Sequence, residues 1–140
     1  MNDNIRMEII WQGDDYFEIS LTCCNKMISA TTNIYVTDEI INDLELSINQ
    51  LVRNTKEMAI WKVGERGNDS IPCVELKFFQ HDLHGRILIE CFMEIDDGGS
   101  FDKHNCCFYV NTELGLLQRF GLNVAFLKTK EKRASISLLD

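Results

Sequence analysis

Period-two alternation of apolar and polar residues recurs seven times along this chain, and a 3.6-residue period interrupts it only twice. Ile5, Met7, Ile9 and Trp11 alternate with Arg6 and Glu8 and predict a strand with one buried face. Gly13-Asp14-Asp15 is a turn signal. Phe17, Ile19, Leu21 and Cys23 then alternate with Glu18, Ser20 and Thr22 over a second strand, and Asn25-Lys26 closes a hairpin onto a third, Met27 to Val36. Thr37 or Asp38 caps a helix in which Ile41, Leu44, Ile48, Leu51 and Val52 form one stripe. Four more strand signals follow: Met58 to Val63, Ile71 to Gln80, Arg86 to Ile95 and Lys103 to Val110. His81 to Gly85 and Asp96 to Ser100 are the turns between the last three. Asn111 is the expected cap of a second helix, with Glu113 in its first turn and a stripe of Leu114, Leu117, Phe120, Val124 and Leu127. Gly115 and Gly121 weaken that helix or let it pack closely on a sheet. Ser135 to Leu139 is either a last short strand or a frayed end.

The order is therefore βββα followed by ββββα. It predicts an α+β fold, a mostly antiparallel sheet of about seven strands with two amphipathic helices packed on it. Tyr35 to Glu39 and Tyr109 to Glu113 resemble each other, as two strands running into helix caps do. At 140 residues the expectation is a single domain over 1–140, large enough to bury a core without metal or disulfide.

Charge is unevenly placed. The net charge is −8, and between Met7 and Val52 eight acids face the single base Lys26. The segment from Lys128 to Asp140 is weakly basic. A binder of phosphate backbone carries the opposite sign over its body, which argues against nucleic acid as a direct partner. An acidic field steers instead toward a basic protein, or simply keeps the chain in solution. No apolar run reaches the length of a membrane helix, and Met1 to Met7 lacks the apolar stretch of a signal peptide. The six cysteines, Cys23-Cys24, Cys73, Cys91 and Cys106-Cys107, are then expected to be reduced in a cytoplasmic protein, each adjacent pair pointing one thiol inward and one outward.

Chemistry-bearing clusters are sparse. His81, His84, His104, Cys106 and Cys107 offer zinc-ligand atoms, but adjacent cysteines on one strand cannot both face one ion. Whether these side chains converge is a question of the fold. A cysteine nucleophile with a histidine base needs the same convergence, and no oxyanion-hole motif flanks any cysteine. Asp14-Asp15 and Asp96-Asp97 sit in turns, where aspartate bonds nearby backbone. No catalytic residue, metal or cofactor is expected. Trp11 stands out: in the core it is ordinary, whereas exposed beside Asp14 and Asp15 it suits a protein interface. The candidate partner-binding residues are accordingly Trp11, Asp14, Asp15, Asp96 and Asp97.

The early strand ending in Trp11, the helix start Thr37-Asp38-Glu39-Ile40-Ile41 with Leu44, and the runs Leu76-Lys77-Phe78, His84 to Glu90 and Phe108 to Leu114 with Phe120 together resemble small bacterial immunity proteins of the WapI-like group. The resemblance spans about Ile9 to Leu127, with Asn111-Thr112 where that group carries Asp-Gln. It implies a non-enzymatic inhibitor in the cytosol of a toxin-producing cell, bound to a cognate, basic protein toxin. The alternatives are a self-associating structural module or a metal or thiol enzyme. The sequence leaves the oligomeric state open.

Overall fold

A computed structural model describes residues 2–68, 71–96, 98–99, 104–129, 131 and 133–140. The expected alternation builds β1 (Asn4–Gln12), β2 (Phe17–Cys24) and β3 (Ser29–Val36), followed by α1 (Asp38–Arg53). β4 (Ala59–Val63), β5 (Val74–Gln80), β6 (Arg86–Glu94) and β7 (Asn105–Glu113) then lead into α2 (Leu114–Val124), a 3-10 turn at Ala125–Thr129 and β8 (Ser135–Ser137). All pairings are antiparallel. The α+β class and the element order are as the sequence predicts. The strands number eight, however, and they form two four-stranded sheets, ordered β3-β2-β1-β8 and β4-β5-β6-β7. Ser135 to Ser137 is a true strand because Ile136 buries its side chain opposite Met7.

Each sheet turns one face inward. Ile5, Met7, Ile9, Phe17, Ile19, Leu21, Cys23, Ile34 and Val36 line the first; Trp61, Val74, Leu76, Phe78, Ile87, Ile89, Cys91, Phe108 and Val110 line the second. The stripes of α1 (Ile41, Leu44, Ile48, Leu51) and α2 (Leu117, Phe120, Val124) join them in one contiguous core. Burial of side chains of this size stabilises by roughly 1.5–3 kcal/mol each before chain entropy is subtracted. Trp61 is wholly inside, and its indole N–H donates to the Ile40 carbonyl at 2.9 Å, which ties β4 to α1. Thr37 caps α1 as expected, its hydroxyl accepting from the Ile40 amide at 3.2 Å.

Three local expectations are corrected. Trp11 does not continue the buried row of Ile5, Met7 and Ile9, because a bulge between Ile9 and Trp11 shifts the register and turns the indole outward. Asn111 does not cap α2. The β6–β7 ladder runs on through the pair Arg86 and Glu113, so Asn111 is still strand, and the Leu114 amide bonds the Gly85 carbonyl at 2.8 Å. That ladder bond stands where a side-chain cap would have been; Glu113 takes the cap position with no side-chain bond. Gly121 packs closely against α1, not against a sheet: a Cβ there would lie 2.8 Å from Ile48 Cγ2.

Candidate functional site

The outward turn of Trp11 creates a cluster. Trp11 pairs with Glu18 across β1 and β2, and Glu18 pairs with Tyr35 across β2 and β3, so the three side chains form one row on the outer face of the first sheet. Tyr16, at the end of the β1–β2 turn, closes the group. Its ring lies 5.4 Å from Trp11 and 5.6 Å from Tyr35, and Trp11 and Tyr35 meet edge to face at 6.4 Å and 85°. Such tilted and T-shaped contacts are the arrangement aromatic quadrupoles favour. Gly13 makes room for it: a Cβ there would sit 2.7 Å from Trp11 Cη2. The turn itself is closed by the Gly13 amide donating to the Tyr16 carbonyl at 2.9 Å. Trp11, Tyr16 and Tyr35 are 43%, 45% and 48% exposed, so about half of each ring system remains open to a partner.

Acids surround the cluster. Asp14 and Asp15 are exposed in the turn, Glu18 lies between Trp11 and Tyr35, and Asp38 and Glu39 are exposed at the start of α1 directly beyond β3. Among the described residues Asp14, Asp15 and Glu18 have no ion-pair partner. The second sheet behaves oppositely. On its outer face Arg66 bonds both oxygens of Glu75 at 2.8 and 3.2 Å and lies 3.7 Å above the Phe92 ring, while Lys77 pairs with Glu90 at 3.4 Å. The Arg66 hydrogen bonds hold the Glu75 carboxyl below the usual carboxylate range. Tyr109 donates to Glu90 at 2.9 Å, and this bond raises the phenol above its ordinary value. Asp14, Asp15 and Glu18 thus lack the ion pairs that Glu75 and Glu90 make on the second sheet, and that Glu8 makes with Arg6 at 3.6 Å elsewhere on the first. Bare aromatic faces within an acidic rim favour cations, above all arginine and lysine side chains.

The remaining expected residues fall elsewhere. Asp96 is exposed on the second sheet, in the turn after β6, where its carboxylate accepts from the Gly98 amide at 2.7 Å. It is a turn residue there and not part of the aromatic cluster. Asp97 lies outside the described residues. His81 and His84 belong to the β5–β6 hairpin, whereas His104 lies at the far end of β6, where its carbonyl accepts from Ile95. Nine residues of strand separate the two ends, about 30 Å. Among the described residues no three histidine, cysteine or acidic side chains are arranged to hold a metal ion.

The thiols are also set against nucleophilic chemistry. Burial pushes Cys73 up to about 11 and raises Cys106 and Cys107 as well. Cys23, hydrogen-bonded to Cys91 in the core, stands far above the ordinary thiol range. A reactive cysteine needs the opposite shift. All six cysteines are free, with Cys23 inward and Cys24 partly outward as the alternation predicts.

A cavity of about 450 Å³ opens where residues 2 and 3, the start of β6 and the β7–α2 junction meet. Arg86 shares its wall with Asp3 and Glu113, so both signs of charge line it. No helix among the described residues is long and apolar enough to cross a membrane.

Sequence reasoning reached Trp11, Asp14 and Asp15 but missed Tyr16, Glu18 and Tyr35. Tyr35 was legible as the outward position between Ile34 and Val36. The bulge that brings Trp11 beside it left no local signal. Comparison of the chain with family models, with curated proteins and with solved structures found no match.

Proposed function

We propose that this chain is a non-enzymatic binding protein of the immunity type, which captures and neutralises a basic bacterial toxin through the outer face of its first sheet. The observation that carries this reading is the open Trp11-Tyr16-Tyr35 cluster inside a rim of acids, of which Asp14, Asp15 and Glu18 have no ion-pair partner among the described residues. Large, rigid aromatic side chains supply anchoring area, and the acids speed encounter and select a basic surface. The element order and runs that resemble WapI-like immunity proteins support the toxin as the partner and the cytosol as the place of action. The raised thiols and the separated histidines weigh against a thiol or metal enzyme.

The test is a pull-down of tagged protein from its native cytosol, eluted with salt and read by mass spectrometry. A stoichiometric basic partner is expected. Trp11→Ala and Tyr35→Ala should each weaken it by roughly 30-fold, the effect of a hot-spot truncation of about 2 kcal/mol. Tyr109→Ala, on the outer face of the second sheet, should leave it unchanged. A partner indifferent to Trp11 and Tyr35 and lost on changing Tyr109 would place the binding face on the other sheet and defeat this reading.

A further inference from the structure

The outer face of the second sheet contains a filled arginine site. Glu75 and Phe92 are direct cross-strand partners in the β5–β6 ladder, so a carboxylate and a ring stand side by side. Arg66 occupies the space above them. Its guanidinium carbon lies 3.7 Å from the centre of the Phe92 ring, while Nε and one terminal nitrogen bond the two oxygens of Glu75 at 2.8 and 3.2 Å. One planar group thus stacks and forks at once, which a guanidinium allows and a tetrahedral ammonium does not. Lys77, two residues further along β5, meets its cross-strand acid Glu90 through an ion pair at 3.4 Å. The ring opposite Glu90, Tyr109, bonds that acid through its own hydroxyl.

The first sheet repeats the floor of this site without an arginine above it. Glu18 is the cross-strand partner of Trp11 in one ladder and of Tyr35 in the other, so its carboxylate has an aromatic neighbour on each side. Among the described residues no ion pair or side-chain hydrogen bond engages Glu18, whereas Glu8 on the same outer face pairs with Arg6. The ring spacing narrows what can bind. The three rings lie 5.4, 5.6 and 6.4 Å apart, centre to centre, and so touch one another. Rings this close leave no slot between them for a rounded ammonium head. What stays open is the outward half of each ring, a surface suited to a flat group.

We propose that the Trp11-Glu18-Tyr35 row is an arginine subsite, in which one arginine side chain of a basic protein partner lays its guanidinium on the exposed aromatic surface and forks to the Glu18 carboxylate, as Arg66 does over Phe92 and Glu75. The subsite lies on the binding face assigned above and rests on that reading. It adds that arginine, and not lysine, is the residue recognised there. The roles of the acids then separate. Glu18 makes the contact that selects the guanidinium. Asp14 and Asp15, exposed in the neighbouring turn, attract either cation from a distance and do not choose between them.

Nuclear magnetic resonance of the isotopically labelled whole chain tests this, with the end-blocked tripeptides Gly-Arg-Gly and Gly-Lys-Gly as probes. The indole N–H of Trp11 is the readout, and that of Trp61, buried and bonded to Ile40, is the internal control. The arginine peptide is expected to shift Trp11 saturably, to leave Trp61 unmoved, and to bind about 5- to 10-fold more tightly than the lysine peptide. Glu18→Gln keeps the size of the side chain and should weaken the arginine peptide about 10-fold, bringing the two peptides level. Tyr35→Leu removes a ring and keeps the acid, and should weaken the arginine peptide about 3- to 5-fold; it decides the matter if Glu18→Gln fails to fold. Asp15→Asn should weaken both peptides alike. Wild-type protein that binds the two peptides equally overturns the subsite, as does an unmoved Trp11 or an arginine preference that survives Glu18→Gln. The pull-down separates this from the toxin reading. A basic partner that needs Trp11 and Tyr35, with the two peptides bound alike, removes the subsite and keeps the reading. A selective peptide site with a captured partner indifferent to Trp11 and Tyr35 does the reverse.

Discussion

Glu94 is buried at 1% exposure and lies beyond the reach of the alternation rule. Its carboxylate accepts from the Cys73 amide at 2.8 Å and the Gly67 amide at 3.0 Å, so one side chain at the end of β6 holds both ends of the β4–β5 connection. Gly67 reaches it with φ of +77°, a conformation glycine adopts without strain. Removing the carboxylate leaves two amides without a partner. Glu94→Ala is expected to lose about 2–4 kcal/mol, measured by urea unfolding, with the β4–β5 loop becoming the first site of proteolysis. Nothing in the sequence announced this. Cys91 to Glu94 are buried in succession, Cys91 and Met93 on the inner face and Phe92 and Glu94 on the outer, and an alternating pattern cannot express burial on both faces. Phe92 is covered from outside by Arg66, a contact between residues far apart in the chain. Trp11 failed to follow its alternation for a related reason: one extra residue in β1 reverses the face of everything after it. Residue types and runs of alternation were legible; bulges and distant covers were not.

Among the elements, α1 was the most legible, since its cap, stripe and end all lie within one continuous segment. α2 showed its stripe but not its beginning, which is set by how far the β6 ladder reaches. The contact between the helices turns on Gly121. Alanine there gains about 1 kcal/mol of helix propensity, yet its methyl would meet the β-branched carbon of Ile48 at 2.8 Å. Overpacking of this kind costs about 1–3 kcal/mol. Gly121→Ala is therefore expected to destabilise by up to about 2 kcal/mol in thermal unfolding. In an Ile48→Leu background, where the offending branch is gone, the same change should be neutral or stabilising. Additive effects of the two substitutions would show that the helices are not held at this contact.

At the scale of the molecule, the βββα-ββββα order was readable, whereas the division into two sheets was not. That division rests on β8 pairing with β1 across nearly the full chain and on β7 ending at side chains instead of a strand. The charge asymmetry was readable and has a structural counterpart: Glu75 and Glu90 on the second sheet are ion-paired, whereas among the described residues Asp14, Asp15 and Glu18 beside the aromatic cluster are not. Association with a basic partner is accordingly expected to slow several-fold between about 50 and 500 mM salt, mainly in the association rate. Reversing Asp14, Asp15 and Glu18 to lysine should flatten that dependence. Reversing Asp96 should not, since it lies on the other sheet. Stopped-flow fluorescence of Trp11 would report both.

The guarding of β7 by Asp3 and Asn25 bears on the order in which the protein is made. Both guards flank the first two strands of the chain, Asp3 just before β1 and Asn25 just after β2, where they bond the Asn111 amide and the Tyr109 carbonyl, and the edge they cover is completed only at residue 113. On the ribosome the N-terminal strands emerge first. The last long strand of the second sheet therefore leaves the exit tunnel with its shield already waiting, and its longest bare edge need never meet another nascent chain.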